Sequence, residues 1–142
     1  MSEINEISVA CQEAAKIFNI SNLRFGQQEA LAAVLEGQDV SIILPTGAGK
    51  SICYQLFPLV FQKLKGRIPM VLVVQPLTRL IEEQAGFLNK VGISACHFGS
   101  TQTNSISYER AMRGEFTFRK FKIFFFFFFF FITSIIKDLS IL

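Results

Sequence analysis

Val40-Ser41-Ile42-Ile43-Leu44-Pro45-Thr46-Gly47-Ala48-Gly49-Lys50-Ser51 is the stretch whose reading decides the fold. A β-branched apolar run stopped by Pro45 predicts a buried strand over Val40–Leu44, and the turn residues from Pro45 to Gly49 predict a loop. A helix is expected to start near Lys50 and to reach Phe57 or beyond, with Pro58 interrupting or ending it. Strand, glycine-bearing turn and helix is the setting of a phosphate-binding loop. A triphosphate needs many donors at close range, which only backbone N–H groups uncovered by side chains supply, and Gly47 and Gly49 permit that approach. The helix N-terminus adds partial positive charge. Lys50 then neutralises β and γ oxygens, the Ser51 hydroxyl ligates Mg²⁺, and Thr46, Gly47, Ala48 and Gly49 line the loop. The strict GxxxxGK[ST] pattern fails at its first position, which is Leu44, and leaves the PTGxGKS form.

Working outward, Ile7, Val9, Ala10, Ala14, Ile17 and Phe18 suggest a short, weakly amphipathic helix. Ala30, Leu31, Val34 and Leu35 give a clearer stripe, closed by Gly37. Met70–Val74 reads as a second buried strand ended by Pro76. Leu77, Leu80, Ile81, Gln84, Leu88 and Val91 then predict a helix packing one face on a sheet and stopped by Gly92. Ser94–Phe98 is a short third strand, and Ser107–Arg113 a further helix before Gly114. Alternating apolar strands and helices imply an α/β fold with a parallel sheet and right-handed crossovers.

The chain has 142 residues, and 8 of its 17 Phe form one unbroken run, Phe124 to Phe131. The whole formal charge of +3 lies in residues 109–142, while residues 1–108 are neutral. The basic balance is therefore no footprint for nucleic acid, and any such partner must be argued from motifs. Three separated cysteines, Cys11, Cys53 and Cys96, support neither a disulfide framework nor a zinc site. With no secretory signal at the start, the expected compartment is cytoplasm or nucleus. The longest apolar run, Ile123 to Ile132, falls short of the about 20 residues a membrane helix needs.

The PTGxGKS form resembles motif I of the DEAD/DEAH-related helicases of superfamily 2. Leu23-Arg24-Phe25-Gly26-Gln27 is similar to the adenine-recognition motif that precedes it in RecQ-family helicases, keeping the Arg and the Gln. A Gln amide offers a donor and an acceptor together, matching the N6 and N7 edge of adenine, and Arg24 can stack or pair beside it. The family commonly has a stacking aromatic where this chain has Ile20. Ile52-Cys53-Tyr54-Gln55-Leu56-Phe57-Pro58 resembles the stretch after motif I in RecQ proteins, so Cys53 reads as a small packed residue, with no His nearby to make it a nucleophile. Val73 to Gln84 resembles motif Ia, which presents groups to the phosphates of single-stranded DNA. Gln75 stands there for the usual Ser, and Thr78 and Arg79 are the other contacts the resemblance implies. Gly92 to Gln102 looks like the next strand and its Ser-x-Gln loop, with a Werner-type flavour. His97 within it reads as structural, since no second ligand accompanies it.

The resemblance implies a partial RecA-like domain over residues 18–116, preceded by an N-terminal helix or leader over 1–17. A Phe-rich tail over 117–142 is expected to be aggregation-prone and outside the fold. It implies an ATP-dependent 3′–5′ helicase fragment using ATP and Mg²⁺ and acting on single-stranded or forked DNA. Motif II, Asp-Glu-x-His, is not present: Asp39 and Asp138 are the only Asp residues, and Asp138 is followed by Leu. Negligible hydrolysis by this chain alone is the expectation. Other readings stay open at this point: a product that holds ATP or DNA without turnover, a different P-loop enzyme, or a tail of non-coding origin with AT-rich codon character.

Overall fold

The computed structural model describes residues 3–45, 47–98 and 105–122. Residues 1–2, Thr46, 99–104 and 123–142 lie outside the described residues, and with them the expected Ser-x-Gln loop and the Phe run. The chain forms two compact units, Met1–Pro69 and Met70–Leu142.

The first unit is helical. Helix α1 (Glu3–Ile17) and α2 (Gln27–Leu35) are followed by the loop bearing the glycines, then α3 (Lys50–Gln55) and α4 (Phe57–Lys65). The face α1 buries is made of small residues, Ala10, Cys11, Ala14 and Ala15, with Phe18 just beyond its end. Small side chains let α1 approach α4 and α2 closely. Val9 and Ile17, apolar in the pattern, face outward. Helix α2 ends as its glycine requires: Gly37 (φ 80°) donates to the Val34 carbonyl and Gln38 to Ala33, each at 3.0 Å, the paired bonds of a Schellman cap.

The helix from Lys50 is interrupted at Leu56, just before Pro58, and Pro58 opens the next one. It stands in the first turn of α4, where no N–H is needed. Its neighbours Leu56, Phe57 and Val60 form the best-buried part of this unit.

Val40–Leu44 is not a strand. These residues alternate between half-buried and exposed, and Ile43 leaves 91% of its surface open. β-branched composition makes an extended run favourable, but a strand exists only where another strand pairs with it, and no described strand does.

The second unit carries the sheet. Strands β1 (Val71–Gln75), β2 (Ala95–Phe98) and β3 (Phe118–Lys122) lie in the order β1-β3-β2, all parallel. Helix α5 (Thr78–Lys90) links β1 to β2, and α6 (Ser105–Met112) precedes β3. Helix α5 buries Ile81, Ala85 and Leu88, spaced four and three apart, and packs on β2 and β3. It is capped like α2: Gly92 (φ 85°) and Ile93 donate back to Asn89 and Leu88. The Asn89 side chain then grips both backbone groups of Ala95, donating to its carbonyl at 2.9 Å and accepting its N–H at 3.0 Å.

The domain boundary expected at residue 116 is too early. Phe118–Lys122, assigned to the tail, is the central strand, with Phe118 facing Val71 on one side and Ala95 on the other in register. Phe118 is fully buried. Its entry is fixed by Ser94 and Thr117, whose hydroxyls meet at 3.2 Å while the Ser94 hydroxyl accepts the Thr117 N–H at 3.0 Å. The described sheet thus includes β3, and Val40–Leu44 is not one of its strands.

Candidate functional site

The loop from Leu44 to Ser51 and the turn from Arg24 to Gln27 belong to the same unit, and direct hydrogen bonds join them. The Arg24 guanidinium donates through Nη1 to the Gly47 carbonyl at 2.7 Å, and Gln27 donates through Nε2 to the Gly49 carbonyl at 3.0 Å. The Gln27 side-chain oxygen accepts the Arg24 backbone N–H at 2.7 Å. With 3% of its surface exposed, Gln27 is a buried polar side chain satisfied by these partners.

A Gln amide has two N–H groups and two lone pairs on its oxygen. One of each is committed to the protein, leaving one donor and one acceptor for the complementary edge of a base. The sequence reading gives Gln27 a base contact; the structure shows the same side chain holding the loop, which the sequence did not indicate.

Both loop glycines have φ of 82°, a backbone that side-chain-bearing residues adopt only with strain. Gly49 has a second constraint, because a Cβ there would lie 2.6 Å from Gln27 Nε2. The left-handed turn therefore favours glycine at this position, and any Cβ would push Gln27 Nε2 off the Gly49 carbonyl. Ala48 donates to the Pro45 carbonyl at 3.1 Å, closing the turn before α3. Lys50, first residue of α3, reaches back across the loop and donates through Nζ to the Leu44 carbonyl at 2.9 Å. The ammonium is thus held within the loop's arch by a neutral acceptor, which phosphate oxygens would outcompete as charged acceptors.

Ser51 is the second residue of α3. No group of three or more His, Cys, Asp or Glu that could hold a metal ion occurs among the described residues. Among the described residues the Ser51 hydroxyl would suit an ion that carries phosphate and water ligands of its own.

Cys53 is buried in α3, and burial pushes its thiol above its ordinary value, against a lowering by a backbone hydrogen bond. Cys11 is pushed up to about 11 by burial. Neither is a thiolate at neutral pH, consistent with packing roles. All three cysteines are buried, and none is in a disulfide.

The residues expected to meet DNA lie in the second unit. Gln75 ends β1, and its Nε2 donates to Gln84 Oε1 at 3.0 Å. The Gln75 Oε1 is buried and without a partner. Thr78 begins α5. Arg79 leaves 92% of its side chain exposed and pairs with Glu83 one turn on, Nε to Oε1 at 3.2 Å. The partners Gln84 and Glu83 were not singled out from sequence as tuning residues, although four-residue spacing from Arg79 to Glu83 is the usual helical pairing distance. His97 sits on β2 with its Nε2 4.0 Å from the Glu82 carboxylate, and among the described residues the two belong to no group of three or more that could hold a metal ion.

No helix among the described residues is long and apolar enough to cross a membrane.

A family model described as DEAD/DEAH box helicase matches residues 24–122. The chain is 40% identical over 97 residues to the ATP-dependent DNA helicase RecQ of Bacillus subtilis (strain 168), a match covering 68% of this chain and 15% of that protein. Against the ATP-dependent DNA helicase RecQ of Haemophilus influenzae the identity is 37% over 103 residues, covering 72% and 16%. It also matches the ATP-dependent helicase SGS1 of Saccharomyces cerevisiae, 39% identical over 88 residues, covering 62% and 6%. Among solved structures, the DUF1998 helicase MrfA bound to DNA superposes with a TM-score of 0.61 over 86% of this chain and 18% of that one, at 20% identity, a likeness of fold. The chain thus spans about one sixth or less of the length of these curated relatives.

Proposed function

The chain belongs to the DEAD/DEAH box helicase family, and on that premise we propose that its first unit is the ATP-binding part of a RecQ-like, ATP-dependent 3′–5′ DNA helicase. The observation that carries this reading is the pair of bonds from Arg24 and Gln27 onto the carbonyls of Gly47 and Gly49. They make the base-reading turn and the phosphate loop one constellation, which a generic phosphate loop has no reason to contain.

In this reading Gln27 presents its remaining donor and acceptor to the adenine edge, and Arg24 lies beside the base. Lys50 exchanges the Leu44 carbonyl for β and γ phosphate oxygens, while Thr46, Gly47, Ala48 and Gly49 line the triphosphate. Mg²⁺ would arrive with the nucleotide, take the Ser51 hydroxyl as ligand, and neutralise charge on the phosphates. In the second unit, Gln75, Thr78 and Arg79 face the backbone of single-stranded DNA, with a forked duplex as the substrate the strand comes from. The expected compartment is nucleus or cytoplasm.

Binding and turnover separate here. In-line attack on the γ-phosphate needs a carboxylate to orient and deprotonate water, and the Asp-Glu-x-His motif is not in this sequence. The 142 residues on their own are therefore a binding unit.

Titration of ATP into the chain and into Lys50→Ala, with steady-state hydrolysis measured beside it, tests this. We expect ATP binding that weakens at least about ten-fold in Lys50→Ala, as loss of a charge-assisted hydrogen bond predicts, and no turnover above background in either. Equal binding by the variant would remove the phosphate-loop assignment. Substantial hydrolysis that Lys50→Ala abolishes would overturn the separation of binding from turnover.

A further inference from the structure

Phe25 is the largest departure from ordinary burial in the first unit, leaving 92% of its surface in solvent. Single exposed apolar residues are common, but this one stands on a rigid mount at the edge of the nucleotide loop. The Gln27 N–H donates to the Arg24 carbonyl at 3.1 Å, and Gly26 between them has φ 84° and ψ −19°. Those are the marks of a type II turn with Phe25 at its second position. The bond from the Arg24 N–H to the Gln27 side chain closes the same turn again. Both ends of the turn are anchored on the loop, by Arg24 at Gly47 and by Gln27 at Gly49. Phe25 is held between those anchors.

Its ring contributes no packing to the fold. The residue that best stabilises the second position of a type II turn is Pro, whose fixed φ suits it. An exposed Phe in that place therefore needs a different reason. A base whose edge is taken by Gln27 still has two apolar faces to cover, and the half-buried Ile20 offers only an aliphatic surface. Aromatic rings serve as stacking platforms for bases.

We propose that Phe25 is the stacking platform for the purine ring of the bound nucleotide and makes the site prefer a nucleoside triphosphate over the bare polyphosphate. This rests on the nucleotide-binding reading given above. It assigns Phe25 a contact to the base, and leaves the triphosphate to Lys50 and the loop.

The chain contains no Trp, so Phe25→Trp places a single indole at the proposed contact. In the full chain, ATP should quench or shift the Phe25→Trp fluorescence, and inorganic tripolyphosphate should leave it unchanged. Phe25→Pro keeps the turn and removes the ring. It should weaken ATP about ten-fold while binding tripolyphosphate as the parent does, and Phe25→Tyr should restore ATP affinity. Phe25→Pro binding ATP as tightly as the parent, or an indole signal that tripolyphosphate reproduces, would overturn the proposal. Lys50→Ala separates the two levels. If it leaves ATP binding intact, the phosphate loop itself has been misassigned and the stacking proposal falls with it. If Lys50→Ala abolishes binding but Phe25→Pro does not weaken it, the stacking proposal alone fails.

Discussion

Between Gly37 and Gly49 the first unit runs through an extended apolar segment without a ladder, and side chains hold the loop that follows it. Arg24, Gln27 and Lys50 each reach a loop carbonyl, at 2.7, 3.0 and 2.9 Å. The second unit has the reverse construction. Its chain is held by backbone pairing, Val71 and Ala95 both registering on Phe118, and side chains such as Asn89 only fasten the ends. A ladder is a fixed structure, because every bond depends on its neighbours. Bonds from flexible side chains to carbonyls break and form one at a time. In the nucleotide-binding reading, only the Lys50 bond is exchanged for a ligand's acceptors, while those of Arg24 and Gln27 keep the loop in place.

The sharpest way to break this contrast is to attack the ladder at its centre. Phe118 is the largest fully buried side chain of the described residues and belongs to the strand with two neighbours. Phe118→Ala is expected to cost about 3–5 kcal/mol, the range for emptying a packed aromatic site. Urea denaturation followed by circular dichroism measures it, and hydrogen exchange locates it. Protection should fall in residues 71–75 and 95–98 together, since both strands pair with β3. Loss confined to β3 would show that the three strands do not form one cooperative unit.

The phosphate loop should respond on a smaller scale and in a different currency. Gly49→Ala puts a Cβ in a left-handed backbone, worth about 1–2 kcal/mol, and drives it into Gln27 Nε2. That atom ends a flexible side chain, so Gln27 can withdraw, and the strain is relieved by breaking its bond to the Gly49 carbonyl. The expected result is modest destabilisation with a disproportionate loss of ATP affinity. Gly37→Ala is the control, because it shares the left-handed φ and meets nothing within 4 Å. It should lose stability by a similar amount and keep ATP affinity. Equal affinity losses in the two variants would mean that the Gln27 contact does not organise the site.

The two units also differ in how far they can be read from the sequence. Strand β1, helix α5 and the Gly92 cap follow from apolar run, helical period and terminal glycine, because each is encoded within its own few residues. The Val40–Leu44 run carries the same local signal and yields no strand, since pairing depends on a partner the local pattern does not specify. Strand β3 fails in the other direction. Phe118-Arg119-Lys120-Phe121-Lys122 has three cations in five residues and adjoins the Phe run, so composition places it with the tail. The charge excess assigned to residues 109–142 lies wholly within 109–122, because Lys137 and Asp138 cancel in the remainder. Those basic residues are part of the folded unit. At the candidate site, Gln27, Gly49 and Lys50 are proposed from their chemistry alone. The bond from Gln27 to Gly49 is not legible in the sequence, because contacts between residues 22 positions apart depend on how the chain folds back.

The finest test concerns Arg79, whose expected partner is a DNA phosphate and whose present partner is Glu83. Both side chains are largely exposed and sit one helical turn apart, so the pair contributes little to stability, at most about 0.5 kcal/mol. Glu83→Gln should therefore leave the denaturation midpoint almost unmoved. Its effect on DNA should be larger than its effect on the fold. To contact phosphate, Arg79 must leave Glu83, and a carboxylate at that place also repels the strand. Removing the charge lifts both penalties, so affinity for a single-stranded oligonucleotide should rise a few-fold at low salt and converge on the parent's as salt screens the carboxylate. Fluorescence anisotropy across a salt series measures this. Arg79→Ala in the Glu83→Gln background should then erase the gain. A gain that survives without Arg79 would assign it to general charge repulsion and leave the arginine without a role in DNA binding. Because the fold is insensitive to this pair, any change in DNA affinity reports on the surface of the second unit alone, independent of the ladder beneath it.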